Sequence, residues 1–201
     1  MGGSRSRYGG IMTTQPRRIA VIGGSGSGKT SFARRLSTIL GAPHIELDSL
    51  HWDPDWTPVP TAEFRSRVAA ALSGHTWIAD GNYQGKLGDR VLRLADAVVW
   101  LDPGRPTIMW RVITRTIRRA RSHEVLWNGN RESWGAFRLW RGDDSIIWWA
   151  WTSAGGIREK FGPLPRDPAL AHVSFHRLRS RRDVDEFLET MSRRGCVRAV
   201  D

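Results

Sequence analysis

A three-layer α/β fold built on a parallel sheet is what this sequence predicts, and three observations carry it. Short β-branched or aromatic runs alternate with helical periodicity along the chain. The first such run, Arg18 to Ile22 (RIAVI), ends in a glycine cluster and passes directly into the helical pattern of Lys29 to Leu40. Several of the runs are apolar without alternation, as strands covered on both faces are. HIEL at 44–47, WIA at 77–79, AVVWL at 97–101 and VSFHRL at 173–178 bring the expected strands to five, with a helix predicted over Thr61 to Ser73. Strand, helix, strand repetition requires parallel neighbours and right-handed crossovers. In such sheets ligands bind beyond the carboxyl ends of the strands, so the residues that follow each strand are the ones to read for chemistry.

The 201 residues suit one domain with a single large core. Residues 1–17, rich in Gly, Ser and Arg, read as a disordered tail without the apolar stretch of a secretory signal, and Met12 is an alternative start. The remainder, 18–201, reads as one domain. No run approaches the roughly 20 apolar residues that cross a bilayer, so a membrane-spanning role is not expected. Cys196 is the only cysteine, which precludes an intrachain disulfide and suits a reducing cytoplasm; with no neighbouring His it is not read as a nucleophile. A monomer and a homodimer both fit.

Two segments fall outside the strand and helix alternation. LHWDPDWTPVP at 50–60 reads as a loop rich in Pro and Trp, and residues 116–168 form a long Arg- and Trp-rich insertion. Six of the eleven tryptophans (Trp127, Trp134, Trp140, Trp148, Trp149 and Trp151) lie in that insertion and are read chiefly as packing. At the C-terminal end, Asp183 to Arg194 reads as an amphipathic helix with Val184, Phe187, Leu188 and Met191 inward.

The strongest chemical signal is GGSGSGKT, residues Gly23, Gly24, Ser25, Gly26, Ser27, Gly28, Lys29 and Thr30, which satisfies GxxxxGK[ST] between a strand and a helix. Glycines let backbone N–H groups turn toward phosphate oxygens, and the positive end of the next helix favours the anion. Lys29 is placed on the β and γ phosphates of a nucleoside triphosphate and the Thr30 hydroxyl on Mg²⁺, with Ser31 completing the contact segment. Asp48 and Asp80 each come directly after a strand. A carboxylate there either holds Mg²⁺ or accepts a proton from an attacking hydroxyl. Asp102, ahead of Pro103, is read as a helix N-cap, and His51, beside Trp52, as a loop residue with a structural or solvent role, contact with the acceptor being the alternative.

The net charge of +11 is concentrated: nine arginines and two acidic residues lie between Arg105 and Arg141. Arg111, Arg115, Arg118, Arg119 and Arg121 recur at spacings that put several on one helix face. Such a face can clamp a transferring phosphoryl group, with Arg118 and Arg131 as the expected catalytic arginines. It can also neutralise a polynucleotide, which is the competing reading.

The strings GGSGSGKT, IELDSLHW at 45–52, WIADGNY at 77–83, AVVWLD at 97–102 and NGNRESW at 128–134 together resemble the adenylate kinase-like P-loop kinases. They are most similar to bacterial proteins of the DNA topology modulation (FlaR-type) group, over about residues 18–190. The resemblance implies a parallel sheet of order 2-3-1-4-5, an acceptor-binding segment at 48–76 and an Arg-bearing lid at 116–168. It also implies ATP with Mg²⁺ as donor. Asp80-Gly81-Asn82-Tyr83-Gln84 stands where adenylate kinases carry a DGFPR-like run, and Thr30 follows Lys29 directly, as in kinases of small hydroxylated metabolites. The reading that follows is transfer of the γ-phosphate of MgATP to a small-molecule acceptor, with nucleotides among the candidates. In it Thr30 and Asp80 hold Mg²⁺, Asp48 orients or deprotonates the acceptor, and Lys29, Arg118 and Arg131 stabilise the phosphoryl group. The alternative is an ATPase or ATP switch that binds nucleic acid through residues 105–141.

Overall fold

A computed structural model describes residues 16–122, 127–130 and 156–196. Within them the alternation becomes β1 (Arg18–Gly23), α1 (Lys29–Leu40), β2 (His44–Glu46), α2 (Leu47–His51), β3 (Trp52–Asp53), β4 (Thr57–Pro58), α3 (Thr61–Ala71) and β5 (Trp77–Asp80). There follow α4 (Gln84–Leu87), α5 (Arg90–Leu94), β6 (Ala97–Leu101), α6 (Arg105–Ser122), α7 (helical at 156–161), β7 (Ser174–Leu178) and α8 (Arg181–Cys196). The main sheet is entirely parallel, in the order β2-β5-β1-β6-β7. Counted along the chain these are the second, third, first, fourth and fifth long strands, the predicted order. The Pro- and Trp-rich stretch adds what periodicity did not reveal, a short antiparallel hairpin of β3 and β4. Its two-residue strands are too brief to show a period of two, and Asp55 and Trp56 turn the corner at positive φ.

Sheet alternation divides the core into two layers. Ala20 and Ile22 of β1 face a cluster with Phe64, Val68, Trp77, Leu92, Val98, Trp100 and Phe161. Ile19 and Val21 face the opposite side with Phe32, Leu36, Val99, Leu101, Phe187, Leu188 and Met191. Helices α1 and α8 therefore cover one face, while α3, α5 and α7 cover the other. The terminal helix buries Phe187, Leu188 and Met191, with Val184 packed beside them, as its spacing predicts. A core residue such as Leu36, fully buried, contributes about 1.5–3 kcal/mol relative to exposure.

The sheet begins in register because Asp96 holds its entrance. The carboxylate accepts from the Arg17 and Arg18 N–H groups, each at 2.9 Å, and from the Arg18 guanidinium at 2.7 and 3.1 Å. Burial alone would push the Asp96 pKa up, but these hydrogen bonds outweigh it and hold the carboxyl below its usual range. Arg17, assigned to the tail by composition, is thus tied to the sheet, and Pro16 is buried. Replacing Asp96 with alanine is expected to lower stability by about 2 kcal/mol, read as a lower urea midpoint with an unchanged slope.

Candidate active site

The first long strand delivers the chain into the phosphate loop through Gly23, at φ 149. A Cβ here would lie 2.5 Å from the Leu101 carbonyl oxygen, so only glycine fits against β6. At Gly26 (φ 74) a Cβ would meet Val112 of α6 at 2.7 Å, which lets α6 lie directly on the loop. Helix α1 then starts without a side-chain N-cap, leaving its first N–H groups open to an anion. Ser25 to Ser31 line a cleft of about 1520 Å³, with Gly23 and Gly24 buried beneath. Lys29 folds back over the loop and donates to the carbonyls of Gly23 (2.9 Å) and Gly24 (3.1 Å). Burial lowers its pKa, Asp48 and Asp80 act in the opposite sense, and Arg115 adds to the lowering.

The two carboxylates that sequence paired have different settings. Asp48, on the first turn of α2, lines the cleft and accepts a 2.6 Å hydrogen bond from the Tyr83 hydroxyl. Burial and the Asp48 charge raise the Tyr83 pKa, so the phenol stays a donor. Asp80 is the last residue of β5 rather than the first beyond it, is only 4% exposed, and has its Oδ1 3.4 Å from His44 Nε2. It reaches the phosphate site through its field on Lys29. The hydroxyl of Thr30 and the oxygens of Asp48 suit a hard cation such as Mg²⁺, with buried Asp80 acting on the site electrostatically. Among the described residues no group of three His, Cys, Asp or Glu side chains could hold a metal alone. A Mg²⁺ ion here would share phosphate oxygens, as that ion ordinarily does.

Arginines of α6 cover the loop from above. Arg111 donates to the Ser27 carbonyl at 2.8 Å and Arg115 reaches Ser25 Oγ at 3.3 Å. Arg118, one helical turn further, lines the same cleft from an exposed position. Arg111 and Arg115, which the sequence reading treats as part of the basic face, are the arginines seen bonded to the loop. Arg131 lies outside the described residues, as do Trp134, Trp140, Trp148, Trp149 and Trp151.

Residues 127–130 are fastened to the stretch 46–56. Trp127 Nε1 donates to Glu46 at 2.7 Å, and Asn128 donates to the carbonyls of Ser49 and Trp52. Asn130, 4% exposed, donates to the Asp53 and Trp127 carbonyls at 2.9 Å and accepts from the Trp56 N–H at 2.8 Å. Asn82 performs a similar service at the loop. Its amide pairs with both backbone groups of Gly23, accepting from the N–H at 3.2 Å and donating to the carbonyl. These asparagines escaped the sequence reading because a short polar residue in a loop looks alike whether it faces water or another segment's backbone. The one available signal was their place in the two strings ADGNY and NGNRES.

One expectation is corrected and one open alternative is decided. Asp102 is no helix cap. It is 7% exposed and holds Arg158 Nε of α7 at 2.9 Å and Arg177 Nε of β7 at 3.0 Å, while the Gly104 carbonyl receives the first bonds of α6. His51 takes the structural role. It is buried among Trp52, Phe64 and Tyr83, with ring centroids 4.7, 4.9 and 4.8 Å away, and its Nε2 lies 3.2 Å from Lys86 Nζ. Burial, then the Lys86 charge, lowers its pKa below 6.5, and Asp48 only partly opposes them. The unfolded chain therefore binds the proton first, and folding stability is expected to fall as pH drops below 6.5 toward the depressed value. His51→Phe should flatten that part of a plot of urea midpoint against pH.

The fold and the loop define a chain with the architecture of the P-loop kinases. No protein-family model matches it, and no curated protein sequence does. Among solved structures it is similar to a shikimate kinase from Acinetobacter baumannii in complex with shikimate, at 15% identity and TM-score 0.50, covering 87% of this chain and 90% of that one. A shikimate kinase from Bacteroides thetaiotaomicron overlays at 12% identity and TM-score 0.50, with 89% and 97% covered. A gluconokinase from Sinorhizobium meliloti 1021 gives 16% identity and TM-score 0.46, with 90% and 93% covered. At these identities the likeness is one of fold. None of the described helices is long and apolar enough to cross a membrane.

Proposed function

We propose that this protein is an ATP-dependent phosphotransferase that moves the γ-phosphate of MgATP onto a hydroxyl of a small molecule. One observation carries the reading: a single cleft joins the phosphate loop, the α6 arginines and an acceptor end made by Glu46, Asp48, Trp52, Tyr83 and Trp127. A simple ATPase needs a water at the γ-phosphate and has no use for a walled second compartment. The shikimate kinase likeness in fold agrees with this arrangement.

In this reading the loop N–H groups and Lys29 hold the β and γ phosphates. Leu101, Pro103, Thr107 and Leu178 to Arg181, at the other end of the cleft, flank the nucleoside. Thr30 and Asp48 would hold Mg²⁺, which when bound would supply charge neutralisation at the phosphates. Asp48, kept in orientation by Tyr83, also faces the acceptor hydroxyl and takes its proton. Arg115 and Arg118 lie where they can follow charge onto the equatorial oxygens. Arg111 and Arg115 are turned onto the loop, which supports a phosphate clamp over a polynucleotide surface as the use of the basic helix. The resemblance to topology modulation proteins rests on motif strings alone, and in this reading the site built from them serves a small molecule.

The reading is tested by ADP formation from MgATP, measured alone, with a pool of small hydroxylated metabolites, and with DNA or RNA at two salt concentrations. Stimulation by the metabolite pool is expected. Stimulation by polymer alone, steeply reduced by salt, would move the function to the nucleic-acid alternative.

A further inference from the structure

The two carbonyls that hold the Lys29 ammonium each have a second donor. Gly23 accepts from Lys29 Nζ at 2.9 Å and also from the side-chain amide of Asn82. Gly24 accepts from Lys29 Nζ at 3.1 Å and also from the Ser27 N–H at 3.1 Å. A carbonyl oxygen has two lone pairs, so neither carbonyl is left bare when the ammonium turns away. The Ser27 N–H belongs to the turn of the loop itself, whereas Asn82 is brought in from 59 residues along the chain.

The sheet accounts for its place. Strands β1 and β5 pair as far as Val21 and Asp80, and the Gly81 N–H still donates to the Val21 carbonyl at 3.3 Å. At Gly81, with φ 144, the β5 chain turns away. The Asn82 side chain then stands in for the peptide that would have continued the ladder. Its Oδ1 accepts from the Gly23 N–H at 3.2 Å, and its Nδ2 donates to the Gly23 carbonyl. Gly23 is buried, and a buried carbonyl without a donor is costly. Asn82 itself lines the cleft beside Lys29.

We propose that Asn82 is a positioning residue for phosphate transfer: by keeping the Gly23 carbonyl bonded, it lets Lys29 move from the loop to the phosphates of bound MgATP. This rests on the phosphotransferase reading above, in which Lys29 holds the β and γ phosphates. With Asn82 truncated, Lys29 is the donor that remains on this carbonyl, and its departure strands a buried acceptor. Lys29 then stays on the loop in more of the nucleotide complexes. The loop N–H groups still hold the triphosphate, so the loss falls on turnover more than on affinity.

The test compares wild type, Asn82→Ala and Asn82→Asp in two measurements. One is ADP formation from MgATP with the pool of hydroxylated metabolites. The other is affinity for the non-hydrolysable analogue AMPPNP with Mg²⁺, by calorimetry. Asn82→Ala should lower the maximal rate about tenfold, the effect of one unsatisfied buried carbonyl, with AMPPNP affinity within about threefold of wild type. Retained affinity also shows that the variant is folded. Asn82→Asp keeps the size of the side chain and the bond from the Gly23 N–H, but it offers the carbonyl an oxygen in place of a donor. Its carboxylate also attracts the Lys29 ammonium, so its rate should fall at least as far. A wild-type rate in either variant overturns the inference. So does an Asn82→Ala affinity that falls as far as the rate, because that marks a distorted cradle instead of a detained lysine. Both results leave the phosphotransferase reading standing. Absence of any Lys29-dependent ADP formation in the wild type overturns that reading and the inference with it.

Discussion

Lys29→Ala is expected to lower phosphate transfer by about 10³-fold, equivalent to about 4 kcal/mol of transition-state stabilisation. The side chain is half-buried, and its ammonium is held by only two neutral carbonyls in the loop, those of Gly23 and Gly24. Burial disfavours its charge more than the fields of Asp48 and Asp80 support it, a cost that the phosphate oxygens of a bound triphosphate would relieve. Removal leaves the loop N–H groups in place, so nucleotide binding should weaken far less than turnover. A comparison of MgATP affinity by calorimetry with turnover by ADP release separates the two. An equal fall in both would mean that Lys29 only binds nucleotide.

The second large effect is expected at Asp48. Asp48→Asn keeps the size of the side chain and the contact with Tyr83 but removes the base and one hard ligand. Transfer should fall by about 10²- to 10⁴-fold, the span for loss of a positioned general base, with MgATP binding reduced only to the degree that the metal depends on this carboxylate. Repeating the measurement across a Mg²⁺ titration distinguishes the two contributions. If excess Mg²⁺ restores transfer, Asp48 acts as a metal ligand. If it does not, the missing group is the base. Turnover unchanged at every Mg²⁺ concentration would remove Asp48 from the mechanism.

How much of this was legible beforehand depends on the reach of each interaction. The strands and the phosphate loop were readable because their signals are local: RIAVI, a glycine cluster and a helix lie within one continuous stretch, and that stretch alone specifies the turn and the N–H cradle. The burial of Phe187, Leu188 and Met191 followed from helical spacing for the same reason. What remained hidden was long-range. Asp102 looks like a cap from its neighbours, yet its partners Arg158 and Arg177 are 56 and 75 residues away. Asn82 meets Gly23 across 59 residues, and Asn130 meets Trp56 across 74. For His51 a structural role, a solvent role and acceptor contact all fit the sequence, and only the aromatic cage of Trp52, Phe64 and Tyr83 around the ring decides for the structural one. Asp80 differs by a single residue: β5 runs through it, and it is 4% exposed.

The most direct test follows the γ-phosphate itself. Protein is incubated with γ-labelled MgATP and a filtered extract of small metabolites, and the label is then located. The account predicts label in a phosphorylated small molecule, formed in proportion to ADP and lost with Lys29→Ala. Label found only as inorganic phosphate, whatever acceptors are supplied, would contradict it.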